Sequence, residues 1–449
     1  MTGKAVIAGA VTAGAVTAGA VTADAVRAGL WPPSAAVDGD DLRVGGCSLR
    51  AVAEQYGTPA YVVDELALRE RAQQFRQAFS DRHADSRVYF ASKAYPSASV
   101  IRLLVEEGLG NDVVGAGELQ LAMAAGADPG SILMHGNAKT DADIRAALEA
   151  GIGHLVIDGF DDIDRIARLA DAPTPVLLRV SPGVESSTHS ALATGGVDSK
   201  FGVPVEQVPA AIARIRREPM IDLQGLHAHI GSQLFDLDQF EAEVAALATF
   251  ERFPVYDFGG GLGIPYVTGD LSVRVEDWAD RLVAAAHRYL GTDIRILVEP
   301  GRAVVGRAQL TLYRVVTIKR GRRVHVAVDG GMGDNLEPSL YGQRYEPFVL
   351  GRWDAPATTV DLVGRHCESG DVLVAGAQLR DPHLDDLVAV PVTGAYCFTM
   401  ANNYNGALRP PVVLCRDGAS RLAVRRERAG ELLAREVGLP GQVPPVVGS

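Results

Sequence analysis

Val88-Tyr89-Phe90-Ala91-Ser92-Lys93-Ala94-Tyr95-Pro96 reads as a short buried strand that ends in a lysine. Apolar and aromatic residues follow the charged segment 81–87, which suits a strand interior. Pro96 then stops the extended run. A lysine at such a strand end is expected to be desolvated, which lowers its pKa and makes it a usable amine nucleophile. A lysine that merely snorkels out of a strand end is the structural alternative. What surrounds the stretch in the chain decides between them.

From Val88 a pattern repeats. Short apolar runs occur at 88–92, 111–114, 132–135, 154–157, 176–180, 225–230, 255–258 and 294–298. Helical stretches fall between them, at 97–107, 117–125, 141–150, 161–169, 204–217, 237–249 and 275–289. The first and last runs start 206 residues apart (294 − 88), a mean spacing of about 30, the size of one βαβ step. Eight such units predict an α/β fold built on a (β/α)8 barrel. A doubly wound open sheet rarely holds eight evenly spaced units. In a barrel the chemistry collects at the carboxyl ends of the strands. The unusual polar residues fall there: Lys93 after run one, His135 ending run three and Asp158 after run four. His229-Ile230-Gly231-Ser232-Gln233 ends run six, Gly259-Gly260-Gly261 follows run seven, and Glu299-Pro300-Gly301-Arg302 follows run eight.

Beyond Arg302 the pattern changes. Runs at 308–319, 323–329, 358–365, 371–375, 387–391, 412–415 and 419–425 are β-rich and split by glycine and proline. They predict a C-terminal all-β domain over 303–449. Residues 26–62 are expected to add strands to it, and the barrel is expected over 63–302. The amino terminus differs from both. Residues 10–14 and 15–19 are identical Ala-Val-Thr-Ala-Gly repeats, flanked by near copies. Alanine, glycine and threonine offer little to bury, so residues 1 to about 25 are expected to be a disordered tail. The run lacks the leucine or phenylalanine of a signal peptide or a membrane span.

A net charge of −12, from 43 basic and 55 acidic residues, disfavours nucleic-acid binding. Cys47, Cys367, Cys397 and Cys415 are scattered, with neither zinc-ligand spacing nor a disulfide framework. That pattern fits a reducing, cytoplasmic setting and no bound metal.

The motifs point to a phosphate-bearing ligand. Glycines at Gly259-Gly260-Gly261-Leu262-Gly263 let backbone N–H groups approach a phosphate, although a tight βα turn would use them too. Gly301 adds a second contact, and barrel phosphate sites commonly use the loops after strands seven and eight. Glu299, buried beside a pyridine nitrogen, would keep that nitrogen protonated, as pyridoxal phosphate requires. Its structural alternative is an ion pair with Arg302. His229 is placed to stack on a cofactor ring, or to be a satisfied core histidine. Cys367, between His366 and Glu368 on a turn, is a candidate proton donor. Tyr396, in Gly394-Ala395-Tyr396, could reach a phosphate through its hydroxyl.

Together these residues resemble the fold-type III pyridoxal-phosphate decarboxylases, and within them the diaminopimelate decarboxylases. The resemblance runs from about residue 40 to the end. It rests on Ser92-Lys93-Ala94, the 229–233 and 259–263 segments, Glu299 to Arg302, 367–371 and 394–396, in that order. It implies an alanine-racemase-like barrel with a β-domain, and a head-to-tail homodimer that shares its active sites. It also implies pyridoxal 5'-phosphate as cofactor and an amino acid as substrate. Lys93 would form the Schiff base, His229 would stack on the ring, and Glu299 would pair with its nitrogen. Ser232, Gly261, Gly301 and Tyr396 would hold the phosphate, with Gly259 and Gly260 beside them. Cys367 of the other chain would return the proton. Arg302, Glu368 and Tyr341 would contact the far end of the substrate.

One departure stands out. The diaminopimelate enzymes carry an arginine where this chain has Glu337, and that arginine helps bind the distal carboxylate of diaminopimelate. Glu337 reverses the charge, so it is expected either to face a substrate without that carboxylate or to turn away into solvent. The same chemistry on another diamino acid or amino-acid conjugate is therefore a second reading. A fold-type III racemase and a non-catalytic cofactor-binding homologue are two more. The homologue would be expected to lose Lys93 or Cys367, and both are present.

Overall fold

The computed structural model describes residues 29–184 and 199–438. The expected tail lies outside the described residues. Eight parallel strands close into a barrel: Ser86–Ala91, Gly110–Val113, Ile132–Met134, His154–Ile157, Thr174–Ser181, Ile221–His227, Val255–Asp257 and Arg295–Val298. Closure is direct, since Ile296, Leu297 and Val298 of the eighth strand register with Ser86, Arg87 and Val88 of the first.

Alternation along the strands sorts their side chains. Tyr89 packs with Leu133, Val156, Leu177, Val255 and Leu297, one residue from each of six strands. This small cluster plugs the barrel interior. Val88 and Phe90, one position off, join the larger core under the surrounding helices. Ala91 shares the phase of Tyr89, so the inward side of this strand leads from the plug to the mouth, where Lys93 follows. Burial on both faces explains why these strands read as unbroken apolar runs. The helices between them begin and end on ordinary signals. Thr140 and Asp143 form a capping box on the helix Asp141–Ala150, which Gly151 ends in the left-handed region at φ 65°.

All seven β-rich runs after Arg302 contain strands. The long strand Gln309–Arg320 pairs with Val324–Val328 and with Leu387–Pro391. Ala357–Val363 and Val372–Arg380 extend one side of the sheet. On the other side, Ala60–Asp64 lies between Gln309–Arg320 and Val412–Arg416, with Ala419–Val424 at the edge. Only this last part of the 30–62 region enters that sheet. Ala36–Asp38, Asp41–Val44 and Cys47–Ser48 make a separate three-stranded sheet. The helix Leu49–Tyr56, capped by the Ser48 side chain on the Ala51 N–H, was not anticipated. Among the described residues, no helix is long and apolar enough to cross a membrane.

Candidate active site

Lys93 sits in a single helical turn, Ser92–Ala94, directly after the first barrel strand. The β-domain reaches over to hold that turn. Tyr396 N–H donates to the Ala94 carbonyl at 2.9 Å, and Thr399 Oγ1 donates to the Lys93 carbonyl at 2.9 Å. A cavity opens here, lined by Lys93, His229, Ser232, Gly260, Glu299 and Gly301, with Arg302, Tyr341, Tyr396 and Met400 completing the wall. Residues far apart in the chain are thus brought to one mouth. A shallow groove on the outer surface, between helices Asp238–Leu247 and Val275–Leu290, holds none of them.

Two loops supply the floor, and glycine is required in both. A Cβ on Gly260 would run into the Glu299 carbonyl, and one on Gly261 into the Gly231 carbonyl. Gly261 also has φ 103°, which an L side chain rarely adopts. A Cβ on Gly301 would press on Ala91 and Ala94, at 3.0 and 3.1 Å. Backbone therefore approaches backbone at the mouth, leaving a small-residue cradle next to Ser232, Arg302 and Tyr396. Gly260 N–H donates to His229 Nδ1 at 3.2 Å. Burial, with the Lys93 and Arg179 cations adding to it, holds the imidazole well below its usual pKa. His229 is a neutral flat ring at the cavity wall.

Lys93 departs from expectation. Its side chain stands free in the cavity, accessible to solvent but enclosed by protein walls. Burial is the largest single influence on it and does lower its pKa. Asp112, Tyr396 and Glu299 together outweigh burial, and the pKa ends above the ordinary lysine value. Of the groups that reverse the shift, Asp112 lies in the second strand and Glu299 directly follows the eighth, while Tyr396 comes from the β-domain.

Glu299 does not pair with Arg302. Its Oε1 is hydrogen-bonded to His135 Nε2, and its Oε2 lies 3.4 Å from His227 Nε2. Burial would raise the Glu299 pKa, but the two imidazoles outweigh it and hold the carboxyl well below the usual range. Asp257, beside it, is pushed well above the usual range by burial and by Glu299. Asp112, 3.9 Å from His135, is pushed up to about 6 by burial and by Glu299.

Arg302 pairs instead with Glu337, at 3.3 Å. Glu337 is 1% exposed and accepts from Tyr345 OH at 2.7 Å. The expected outward turn into solvent does not occur. Nor does Glu337 line the cavity, because Arg302 stands in front of it. The Arg302 guanidinium also lies 4.7 Å from the centre of the Tyr396 ring and donates to Tyr266 OH. Cys367 and Glu368 are not among the cavity residues. They sit on an exposed loop fixed by Asp371, which accepts from the His366 N–H, and by Asn405, whose Oδ1 accepts from the Cys367 N–H at 2.8 Å.

The missed residues are His227, Asp257, Asp112, Arg179 and Tyr345. A signal existed for the first of them. His227 and His229 are two apart in the apolar run 225–230, and an extended chain there puts both on one face. His227 is 1% exposed, and burial lowers its pKa to about 3. The unfolded chain binds a proton near pH 6.5, and the folded chain only near 3. Stability from this group is therefore complete above about pH 6.5 and is lost as pH falls toward 3. Replacing His227 with glutamine should remove about 2 kcal/mol of the stability change between pH 7.5 and 5. Denaturant melts at the two pH values measure it, and an identical pH dependence in wild type and variant would contradict the assignment.

The cradle, the ionised carboxylate and the lysine at one mouth have a counterpart in sequence. Residues 66–306 match the family model of the pyridoxal-dependent decarboxylases, pyridoxal-binding domain. The chain belongs to this family. It is 44% identical over 422 residues to the diaminopimelate decarboxylase of Actinosynnema pretiosum, covering 91% of this chain and 95% of that one. It is 42% identical to the Bacillus subtilis diaminopimelate decarboxylase, with 86% and 93% covered. The solved structure of the M. jannaschii diaminopimelate decarboxylase in co-complex with L-lysine superposes with a TM-score of 0.86 at 28% identity, covering 92% and 99%. The chain is a carboxy-lyase that uses pyridoxal phosphate. The site fits that cofactor: an amine, an ionised carboxylate and a glycine-lined cradle face one cavity.

Proposed function

We propose that the chain removes the α-carboxylate of a diamino acid of the diaminopimelate kind, giving lysine and CO2 from diaminopimelate itself. The observation that carries this is the convergence on one cavity of Lys93, His229, Ser232, Gly260, Glu299, Gly301, Arg302, Tyr341 and Tyr396. The names of the relatives support the substrate. When bound, the cofactor supplies an electron sink for the carbanion left by CO2. Lys93 Nζ would hold it covalently, and the neutral His229 ring would cover one face. Glu299 would keep the pyridine nitrogen protonated. Ser232, Gly260, Gly261, Gly301 and Tyr396 would hold the phosphate, with Gly259 setting the turn. Tyr341 would reach the far end of the substrate. Cys367 and Glu368 would enter from a second copy, with Cys367 Sγ donating the proton. The four free thiols support a reducing, cytoplasmic setting. Incubating the pure protein with meso-diaminopimelate and a panel of amino acids tests the reading. CO2 release is expected from a diamino acid; racemisation without CO2 would overturn it.

The Arg302–Glu337 pair favours a second reading, a diamino acid that lacks the distal carboxylate. Glu337 spends the charge of the one arginine on the cavity wall, so a distal carboxylate would meet a cation already matched. Glu337→Gln should free Arg302. The kcat/KM for diaminopimelate relative to a diamino monocarboxylic acid should then rise about ten- to a hundredfold, the worth of a charge-assisted pair. The melting temperature should fall, because the variant leaves a buried charge unmatched. An unchanged ratio would show that Arg302 does not reach the distal end.

A further inference from the structure

Four ionisable groups meet under the cavity: His135, His227, Asp257 and Glu299, all buried, with their ligating atoms within 4.8 Å of one another. Asp112 lies behind His135. Such a set could hold a metal ion, but His135 and Glu299 already share a hydrogen bond, so the two would-be ligand atoms are turned onto each other.

We infer that His135 and His227 are positioning residues that fix the negative charge of this site on Glu299 and turn its carboxylate to the cavity. Asp112, Asp257 and Glu299 share one buried space, and three carboxylates so placed cannot all ionise. Something must choose among them. Both imidazoles are aimed at Glu299: His135 Nε2 at Oε1 and His227 Nε2 at Oε2, the latter 3.4 Å away. The rings stand 4.6 Å apart and 60° to each other, so they approach the carboxylate from two directions, His135 through a hydrogen bond and His227 as a buried ring whose nitrogens have no hydrogen-bond partner. Asp257 has the backbone N–H of Gly259 on Oδ1 at 2.9 Å, and its Oδ2 is buried without a hydrogen-bond partner. That leaves Asp257 as the place where the proton rests and Glu299 as the place where the charge rests. Without an imidazole, Glu299 would compete with Asp257 for one proton, and a protonated Glu299 cannot keep a pyridine nitrogen protonated. The inference rests on Glu299 being the pyridine partner proposed above.

The test uses the cofactor-loaded protein and the variants His135→Gln, His227→Gln and His227→Gln with Asp257→Asn. Visible absorption spectra across pH, cofactor affinity and the separate values of kcat and KM are measured. In each histidine variant kcat and cofactor affinity should fall about ten- to a hundredfold, as for other residues that orient a ligating group. KM should stay within about threefold, and the visible band should move and titrate at lower pH. Asparagine at 257 cannot take the charge yet still accepts from Gly259, so the double variant should regain part of kcat and the wild-type band. A purely structural histidine would not be rescued this way. Unchanged spectra and affinity in both histidine variants, or no rescue by Asp257→Asn, would overturn the inference. Glu299→Gln separates the two layers. If it too is unchanged, the cofactor-partner reading fails; if it alone is impaired, only the histidine inference fails.

Discussion

Lys93→Ala is expected to fold, to purify without the visible absorption of bound cofactor, and to release CO2 at least about four orders of magnitude more slowly, the scale of losing a catalytic nucleophile. Folding should survive because the side chain stands in the cavity, outside the packed core. The turn that carries it is held by backbone, through Tyr396 N–H on the Ala94 carbonyl and Thr399 on the Lys93 carbonyl. A finer prediction follows from the charge on the amine. Asp112 and Glu299 keep the ammonium above its ordinary pKa despite burial. The amine must lose that proton before it can bond to an aldehyde. Reconstitution of cofactor-free protein should therefore speed up with pH, by up to about tenfold per unit between 7 and 9. A rate flat over that range would mean the amine is already neutral. Retention of the visible band and of turnover in Lys93→Ala would remove the lysine from the mechanism.

The legible parts of this site share one property. Lys93, His229 and Glu299 interrupt or end apolar runs, and a polar group at the end of a barrel strand has no packing purpose. The barrel itself was legible because its strands are buried on both faces. Asp112 and Asp257 are different. Asp112 follows Asn111 within one short strand and Asp257 is the last residue of another, and nothing next to either in the chain names its partner. Their partners come from other strands, so the site's charge balance is a property of closure. The wrong expectation for the Lys93 pKa has this origin: burial can be inferred locally, whereas Asp112 and Glu299 stand elsewhere in the chain. Glu337 shows a second limit. Its charge reversal was visible, but its direction was not. Whether a carboxylate faces solvent, substrate or Arg302 depends on where Tyr345 and Tyr266 bring their hydroxyls. The helix Leu49–Tyr56 was hidden for a simpler reason: eight residues hold too few turns for their spacing to stand out beside three short strands.

Cys367→Ala should lower decarboxylation about a hundred- to ten-thousandfold while leaving cofactor absorption intact. The two effects separate because Cys367 is not part of the cavity that Lys93 opens into. Its loop is exposed in a single chain, yet ordered by Asp371, Asn405 and the ring stack of His366 on Tyr404. A rigid, exposed loop with a free thiol is suited to serve a site on another copy. If the two sites of a homodimer each take Lys93 from one chain and Cys367 from the other, the variants should complement. Equal amounts of Lys93→Ala and Cys367→Ala, allowed to exchange freely, would give about half hybrid dimers by random pairing. Each hybrid would carry one doubly altered site and one intact site. Recovered activity should approach about a quarter of the wild-type value per chain by the same count. It should need exchange, rise with mixing time, and be absent when the dimers are crosslinked beforehand. Exchange verified by mass-tagged chains, with activity still at the level of the separate variants, would place the thiol and the lysine in the same chain's chemistry or leave the thiol without a role.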